Sequence, residues 1–212
     1  MENNTPKPLR FTAQLVSYLF HPLFIPTFFM LYLIRVIPYE FVGITEWQLQ
    51  LRVFSVFWLT AFFPAFAVFL LWRLKFSESI FLRTQKERII PYVITMFFYW
   101  WMYYLSRNFH DQPLALKFFY FGIFIATSLG LIINNFIKVS LHAIGISGLL
   151  TAVILVSFIY PINNVIWIAF AALLAAVVVS ARMIVSDHTK QELIIGFAIG
   201  ILTQVIAYFW VL

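Results

Sequence analysis

The sequence predicts an all-α polytopic membrane protein, a bundle of about six or seven transmembrane helices. Of its 212 residues, 63% are hydrophobic and only 10% are charged, whereas about a quarter of the residues in a soluble domain are charged. Apolar stretches of about 20 residues, the length that crosses the hydrocarbon core, recur along the chain. The predicted spans cover residues 11–36, 50–74, 89–105, 114–136, 140–159, 165–184 and 193–211.

The spans are expected to form a single membrane-embedded domain, residues 1–212, because only short polar or proline-bearing breaks separate them. The first apolar stretch is longer than the apolar core of a usual signal peptide and lacks a small-residue cleavage site behind it, so we expect it to remain as a helix. The absence of cysteine excludes disulfides, thiolate catalysis and cysteine metal sites.

The net charge of +6 does not indicate nucleic acid as a partner, because no basic helix or arm outside the spans is large enough to follow a phosphate backbone. Cationic side chains at a membrane edge more often reach into water or contact anionic lipid headgroups. The expected partner of these charges is therefore the lipid bilayer.

Polar residues capable of chemistry gather at one end of the predicted bundle, which we call face A. With seven crossings, face A receives the N-terminus, the loop near residues 75–88, the segment before Ser140 and the turn near residues 182–192. The basic residues that fall there are Lys7, Arg10, Arg73, Lys75, Arg83, Lys86, Arg88, Lys138, Arg182 and Lys190. Three separate segments that carry other polar residues converge on the same face.

The first of these segments, residues 180–192, lies between the last two spans. Glu192 follows His188 by four residues, so both lie on one side of a helix that begins near His188, and the carboxylate can reach the imidazole. A carboxylate on one ring nitrogen fixes the tautomer and leaves the other nitrogen free to attack. Arg182 would supply positive charge for an anionic substrate.

The second segment, at the mouth of the fifth span, brings Lys138, Ser140 and His142 together. Helix N-termini attract anions, so Ser140 is predicted to cap the helix or to offer its backbone N–H to a phosphate oxygen. His142 is placed to donate a proton to a leaving group.

The third segment is basic. Arg83, Lys86 and Arg88 precede Pro91 near the first turn of the third span, where proline is tolerated. Taken alone, Arg88 would be interpreted as a membrane-edge side chain that extends into water.

Other residues predict packing rather than chemistry. A single membrane-edge histidine, such as His21 or His110, is more often an interface or packing residue. The Phe, Tyr and Trp residues, 20% of the chain, are typical of lipid-facing bulk and an interfacial belt. Glycines at small-residue spacing predict close helix packing; they are Gly145, Gly148, Gly196 and Gly200.

Together, the three polar segments resemble the motifs of the type 2 phosphatidic acid phosphatase superfamily, whose members include lipid phosphate and isoprenyl pyrophosphate phosphatases. The family's third motif, Ser-Arg, five residues, His, three residues, Asp, is similar to Ser180, Arg182, His188 and Glu192 here. One residue intrudes between Ser180 and Arg182, and Glu replaces Asp. The spacings from the arginine to the histidine and from the histidine to the acid are kept.

The other two motifs match less closely and occur in the family's order. The second, Pro-Ser-Gly-His, is similar to residues 139–142, which keep the serine and the histidine but lack the proline and the glycine. The first, Lys, six residues, Arg-Pro, is loosely similar to residues 83–91, and two spans separate it from the second motif here. The resemblance covers about residues 83–200, so the first two spans depend on hydropathy alone.

The resemblance implies a phosphatase for lipid phosphates or pyrophosphates that needs no metal and no cofactor. His188 would attack phosphorus, Glu192 would steady the imidazole, and His142 would protonate the departing lipid oxygen before water hydrolyses the phosphohistidine. The sequence offers no cluster of histidines and carboxylates with zinc-like spacing. The residues expected to hold the phosphate oxygens are Arg182, Arg88, Lys86, Arg83, Lys138 and Ser140, the last through its backbone N–H.

The lipid headgroup is left open, since undecaprenyl pyrophosphate, phosphatidate, phosphatidylglycerol phosphate and a lipid A phosphate all fit. Three other functions stay open as well. A transporter would also place charges inside a bundle, although usually near the midplane. A catalytically silent lipid-binding member would keep the anion site without turnover, and a phosphotransferase that passes phosphate between two lipids would share the covalent histidine.

The side of the membrane that face A occupies is not decided by charge. Ten basic residues at face A against four opposite would place it in the cytoplasm. Six of the ten lie in the three polar segments, however, which leaves four against four. The resemblance favours a bacterial cytoplasmic membrane with the site on its outer side.

Overall fold

The computed structural model describes residues 6–82, 84–185 and 188–212, and all regular secondary structure in these ranges is helical. Six helical segments of the described chain are long and apolar enough to cross a membrane, judged by length and composition. The prediction of an all-α polytopic bundle is confirmed. The chain is an integral membrane protein.

Nine α-helices make up the bundle in the described ranges. They are α1 (Lys7–Leu19), α2 (Ile25–Val36), α3 (Glu46–Phe57), α4 (Phe63–Arg73), α5 (Gln85–Asn108), α6 (Leu114–Asn134), α7 (Leu141–Ile159), α8 (Val165–Val185) and α9 (Lys190–Val211). α1 and α2 together form one long segment, as do α3 and α4. α5, with 24 residues, is the longest of the described helices but less apolar, because polar and charged residues stand at both of its ends and it contains four Tyr and two Trp.

The first segment is broken where the sequence predicted a single span over residues 11–36. A short 3-10 turn, Pro22–Phe24, separates α1 from α2. Pro22 has no N–H to donate to the carbonyl of Tyr18, and it disfavours the helical conformation for the residue before it. His21 is accordingly extended, with ψ 137°.

The second segment contains a π-helical turn, Trp58–Phe62, between α3 and α4. Pro64 cannot donate to the carbonyl of Thr60, so the regular hydrogen-bond ladder is interrupted here. This turn lies against the Pro22–Phe24 turn, and the rings of Phe24 and Phe57 stack with their centroids 6.2 Å apart. Two irregular stretches of backbone are therefore adjacent within the bundle.

Three helices begin with the same capping box. In each, a threonine hydroxyl accepts the backbone N–H three residues on, and the side chain at that position accepts the threonine N–H. The pairs are Thr45 with Gln48 at α3, Thr84 with Glu87 at α5 and Thr189 with Glu192 at α9. A cap of this kind contributes about 1 kcal/mol and fixes where each helix begins.

α7 and α9 pack closely against each other. α6 flanks α9, α8 flanks α7, α5 covers α6, and α1 lies on α8. Glycine permits the closest approach, since a Cβ on Gly196 would lie 2.8 Å from the carbonyl oxygen of Ser140, and one on Gly200 would overlap the Ser147 hydroxyl and the Ile144 carbonyl. The predicted role of these glycines in helix packing is consistent with this contact.

We expect Gly200→Ala to destabilise the bundle by about 1–3 kcal/mol, because the added methyl has backbone on one side and cannot be accommodated without shifting α9 away from α7. Thermal unfolding of the purified protein in detergent measures the loss. Gly148→Ala is the matched control in the same contact, because the nearest atoms to its Cβ are 3.7 Å away. Equal unfolding temperatures for the two variants would contradict this account of the interface.

Candidate active site

A cavity of about 830 Å³ opens among α1, α2, α4, α5, α6, α7, α8 and α9. At its face A end it is lined by histidine and cationic side chains. Deeper, the lining becomes apolar and aromatic, with Val68, Tyr99 and Ala126, and it reaches Gln204. Gln204 lies about 21 Å along α9 from Lys190, given a rise of about 1.5 Å per residue. The cavity therefore joins a charged mouth to the apolar interior of the bundle.

His188 and Glu192 form a hydrogen-bonded pair at the mouth. His188 Nδ1 lies 3.0 Å from Glu192 Oε2, and the two side chains are 5% and 16% exposed. The same Oε2 accepts the backbone N–H of Thr189 at 3.0 Å. Since a carboxylate only accepts, Nδ1 carries the proton of the neutral imidazole and Nε2 keeps its lone pair. This is the arrangement of an oriented nucleophile.

The electrostatic setting of His188 favours its neutral form. Burial lowers the pKa of the imidazole, and the positive charges of Arg88 and Arg182 lower it further, while the hydrogen bond to Glu192 opposes them. Because the lowering effects prevail, the Nε2 lone pair remains available at pH values where a free histidine is largely protonated.

His142 lines the same cavity from the first turn of α7. Its Nε2 lies 2.9 Å from the backbone carbonyl oxygen of Ser17 in α1. A carbonyl can only accept, so Nε2 carries the proton and Nδ1 is the nitrogen that remains to exchange a proton with a ligand. His142 is also within electrostatic range of Arg182 and His188.

Only some of the cations predicted to bind phosphate line the cavity. Arg88, Arg182 and Lys138 line the cavity. Arg88 donates from Nε to the carbonyl of Leu82 at 3.0 Å and from Nη1 to the carbonyl of Val139 at 3.3 Å. These bonds hold its guanidinium between the loop before α5 and the start of α7.

Two other predicted phosphate ligands, Lys86 and Ser140, are not among the residues that line the cavity. Lys86 is exposed and is not among the lining residues. Ser140 is fully buried, its hydroxyl caps the N–H of Ala143, and its backbone N–H points to the carbonyl of Glu192 at 3.5 Å. Arg83 lies outside the described residues.

The N-terminal segment contributes to the cavity in a way that the sequence did not predict. Arg10, Ser17, Tyr18 and His21 all line it. The signal that could have indicated their position is Pro22 within an otherwise apolar span, because a proline break inside a membrane bundle often borders a cavity.

No protein-family model, curated protein or solved structure matches this chain. Within the described residues, no group of three or more histidine or carboxylate side chains is arranged to hold a metal ion. The chemistry of the cavity is therefore the basis on which a function can be inferred.

Proposed function

We propose that the chain is a membrane-embedded phosphatase that removes phosphate from a lipid phosphate or pyrophosphate through a phosphohistidine on His188. The observation that carries the proposal is the convergence of four helices on one cavity mouth. His188 just before α9 pairs with Glu192 in its first turn, α7 supplies His142, and α5 and α8 supply Arg88 and Arg182. A nucleophile, an acid and an anion clamp are the parts that phosphoryl transfer needs.

In the first step, the Nε2 lone pair of His188 forms a bond to phosphorus while the bond from phosphorus to the lipid oxygen breaks. The bound phosphate is an anion beside the ring and so favours the charged form of His142. Protonated His142 gives its Nδ1 proton to the departing oxygen, and the lipid leaves as an alcohol or as a shorter phosphate. Glu192 accepts the Nδ1–H of His188 and offsets the positive charge that develops on the ring. Arg88 and Arg182 offset the charge on the phosphate oxygens.

In the second step, water attacks the phosphohistidine. His142, now neutral at Nδ1, takes a proton from the water, the phosphorus–nitrogen bond breaks, and inorganic phosphate leaves. His188 and His142 return to their starting states, so the cycle consumes only lipid phosphate and water.

The apolar depth of the cavity supports a lipid as the substrate. A phosphate at the charged mouth would leave room below it for the apolar part of the same molecule, along the aromatic and aliphatic lining that extends toward Gln204. Contact with that lining contributes binding free energy that a short soluble ester cannot obtain. Long-chain phosphates are therefore the expected substrate class.

The experiment that tests the proposal is phosphate release by purified protein in detergent with EDTA. The panel contains phosphatidate, phosphatidylglycerol phosphate, a polyprenyl phosphate, a polyprenyl pyrophosphate and a short water-soluble ester. Release from long-chain substrates that survives EDTA is expected. Comparable turnover of the short ester would contradict the lipid substrate class, and no release from any substrate would contradict the phosphatase.

A silent lipid-binding protein is the second candidate, and one observation favours it. Arg88 and the backbone N–H of Ser140 are engaged with carbonyl groups of the protein itself. They would have to exchange these partners before they could bind phosphate. Saturable binding of a lipid phosphate without release of phosphate would support this second function.

The pH dependence of turnover should reflect the lowered pKa of His188. Because only neutral His188 can attack, the acid limb of kcat/KM is expected below pH 6.5, the ordinary value for histidine. Glu192→Gln removes the hydrogen bond that raises this pKa, so the limb should move to still lower pH. The substrate ionises identically in both experiments, so the difference reports on His188. A limb that moves to higher pH in the variant would contradict the assignment.

A further inference from the structure

The break between α1 and α2 leaves a backbone carbonyl without its helical donor. In a continuous helix the Ser17 carbonyl would accept the N–H of His21, four residues on. Here the chain turns away at Pro22, and the His21 N–H lies 3.4 Å from the Tyr18 carbonyl instead. The Ser17 carbonyl is then taken by His142 Nε2 at 2.9 Å. The break therefore creates the acceptor that sets the tautomer of His142.

The residue at the break touches the same imidazole. The rings of His21 and His142 meet edge to face, with centroids 5.2 Å apart and planes at 84°. Both rings line the cavity. His142 is thus held at two places, by the Ser17 carbonyl and by the His21 ring, and both come from the end of α1.

His21 is itself fixed in place. Its Nδ1 accepts the backbone N–H of Leu23 at 3.4 Å, which caps the Pro22–Phe24 turn. That turn packs on α7, since a Cβ on Gly145 would lie 3.1 Å from Pro22 Cβ. The ring is therefore anchored to a turn that is seated on the helix carrying His142.

We propose that His21 is a positioning residue for the reaction proposed above: through its ring contact it holds His142 where Nδ1 faces the leaving oxygen. This inference depends on the proposed phosphatase function. It assigns a role to the first helical segment, which lies outside the three polar segments that the sequence singled out. A proton donor that is free to rotate loses much of its effect, because small displacements of a reacting group are costly.

The test uses two long-chain phosphate monoesters. In one the phosphate is on an alkyl alcohol, and in the other it is on a nitrophenol that carries an alkyl chain of similar length. An alkyl oxygen needs a proton to leave, whereas a nitrophenolate does not. kcat/KM reports the step in which the lipid leaves. His142→Ala should lower it for the alkyl ester by about 10²-fold or more and for the nitrophenyl ester by much less.

His21→Ala and His21→Asn should both lower kcat/KM for the alkyl ester by about tenfold, with little change for the nitrophenyl ester. Asn can keep the cap on Leu23 but lacks the ring, whereas His21→Phe keeps a ring and should retain most of the alkyl rate. The double variant His21→Ala/His142→Ala should be no slower than His142→Ala alone. His110→Ala, an exposed histidine outside the cavity lining, is the control and should be normal with both esters.

The outcomes distinguish failure of the positioning role of His21 from failure of the proposed phosphatase function. Equal loss with both esters, or rescue by Asn but not by Phe, would show that His21 only supports the fold and would overturn the positioning role while leaving the phosphatase intact. No release from either ester by the unaltered protein would overturn the phosphatase, and the positioning role with it.

Discussion

His188→Ala is expected to lower EDTA-resistant phosphate release by on the order of 10⁴-fold or more, because it removes the atom that would form the bond to phosphorus. Among the described residues at the mouth, His188 is the histidine whose Nδ1 faces a carboxylate, whereas His142 donates from Nε2 to a backbone carbonyl. His110→Ala is the matched control, a histidine-to-alanine change at an exposed position, and should turn over normally.

A covalent trap adds a second measurement. Rapid acid-free denaturation during turnover of a labelled substrate should leave phosphate on the protein in a bond that survives alkali and is lost in acid, as expected of phosphohistidine. The His188→Ala variant should carry no such label. A variant that kept more than about a tenth of the normal rate would rule out His188 as the nucleophile.

Glu192→Gln is expected to slow turnover by about 10³-fold with little change in stability. Glutamine serves the same capping position at α3, where Gln48 accepts the N–H of Thr45 at 2.9 Å. The variant should therefore keep the start of α9 while losing the negative charge beside His188. An amide cannot offset a developing imidazolium, and its NH₂ group can stabilise the wrong tautomer.

The converse change separates the two roles of this residue. Thr189→Val removes the hydroxyl that accepts the N–H of Glu192 at 3.2 Å and leaves the carboxylate in place. It should cost about 1 kcal/mol of stability but slow turnover much less than Glu192→Gln does. Unfolding temperature and kcat/KM are measured for both variants. A larger rate loss in Thr189→Val than in Glu192→Gln would mean that Glu192 matters only because it caps α9.

Local sequence spacing predicted the parts of the cavity mouth that depend on one helical turn. Glu192 stands four residues after His188, and this spacing alone places the two side chains within hydrogen-bond reach. The predicted apolar stretches likewise reflect a requirement that each span meets by itself, since a helix satisfies its own backbone in lipid. Six of them correspond to described helical segments that are long and apolar enough to cross a membrane. The helical fold could therefore be predicted before any tertiary contact was known.

Features that depend on contacts between distant parts of the chain were not predictable in the same way. Pro22 marks a break beside His21, but local sequence does not reveal that the ring meets His142, because the packing of the Pro22 turn on α7 brings the two rings together. Ser140 has the expected place before α7, but the approach of α9 gives its N–H a carbonyl partner that spacing cannot reveal. Tertiary geometry decides these positions.

The Glu192 carboxylate oxygen that accepts from His188 also accepts from the first N–H of the capping box of α9. The proposed nucleophile is therefore oriented by the same contact that starts a helix. Fraying of that single turn would separate the proposed catalytic pair while the rest of the bundle stayed folded. On slow heating, loss of activity should precede global unfolding. The temperature at which activity is lost would then report the local stability of the first turn of α9.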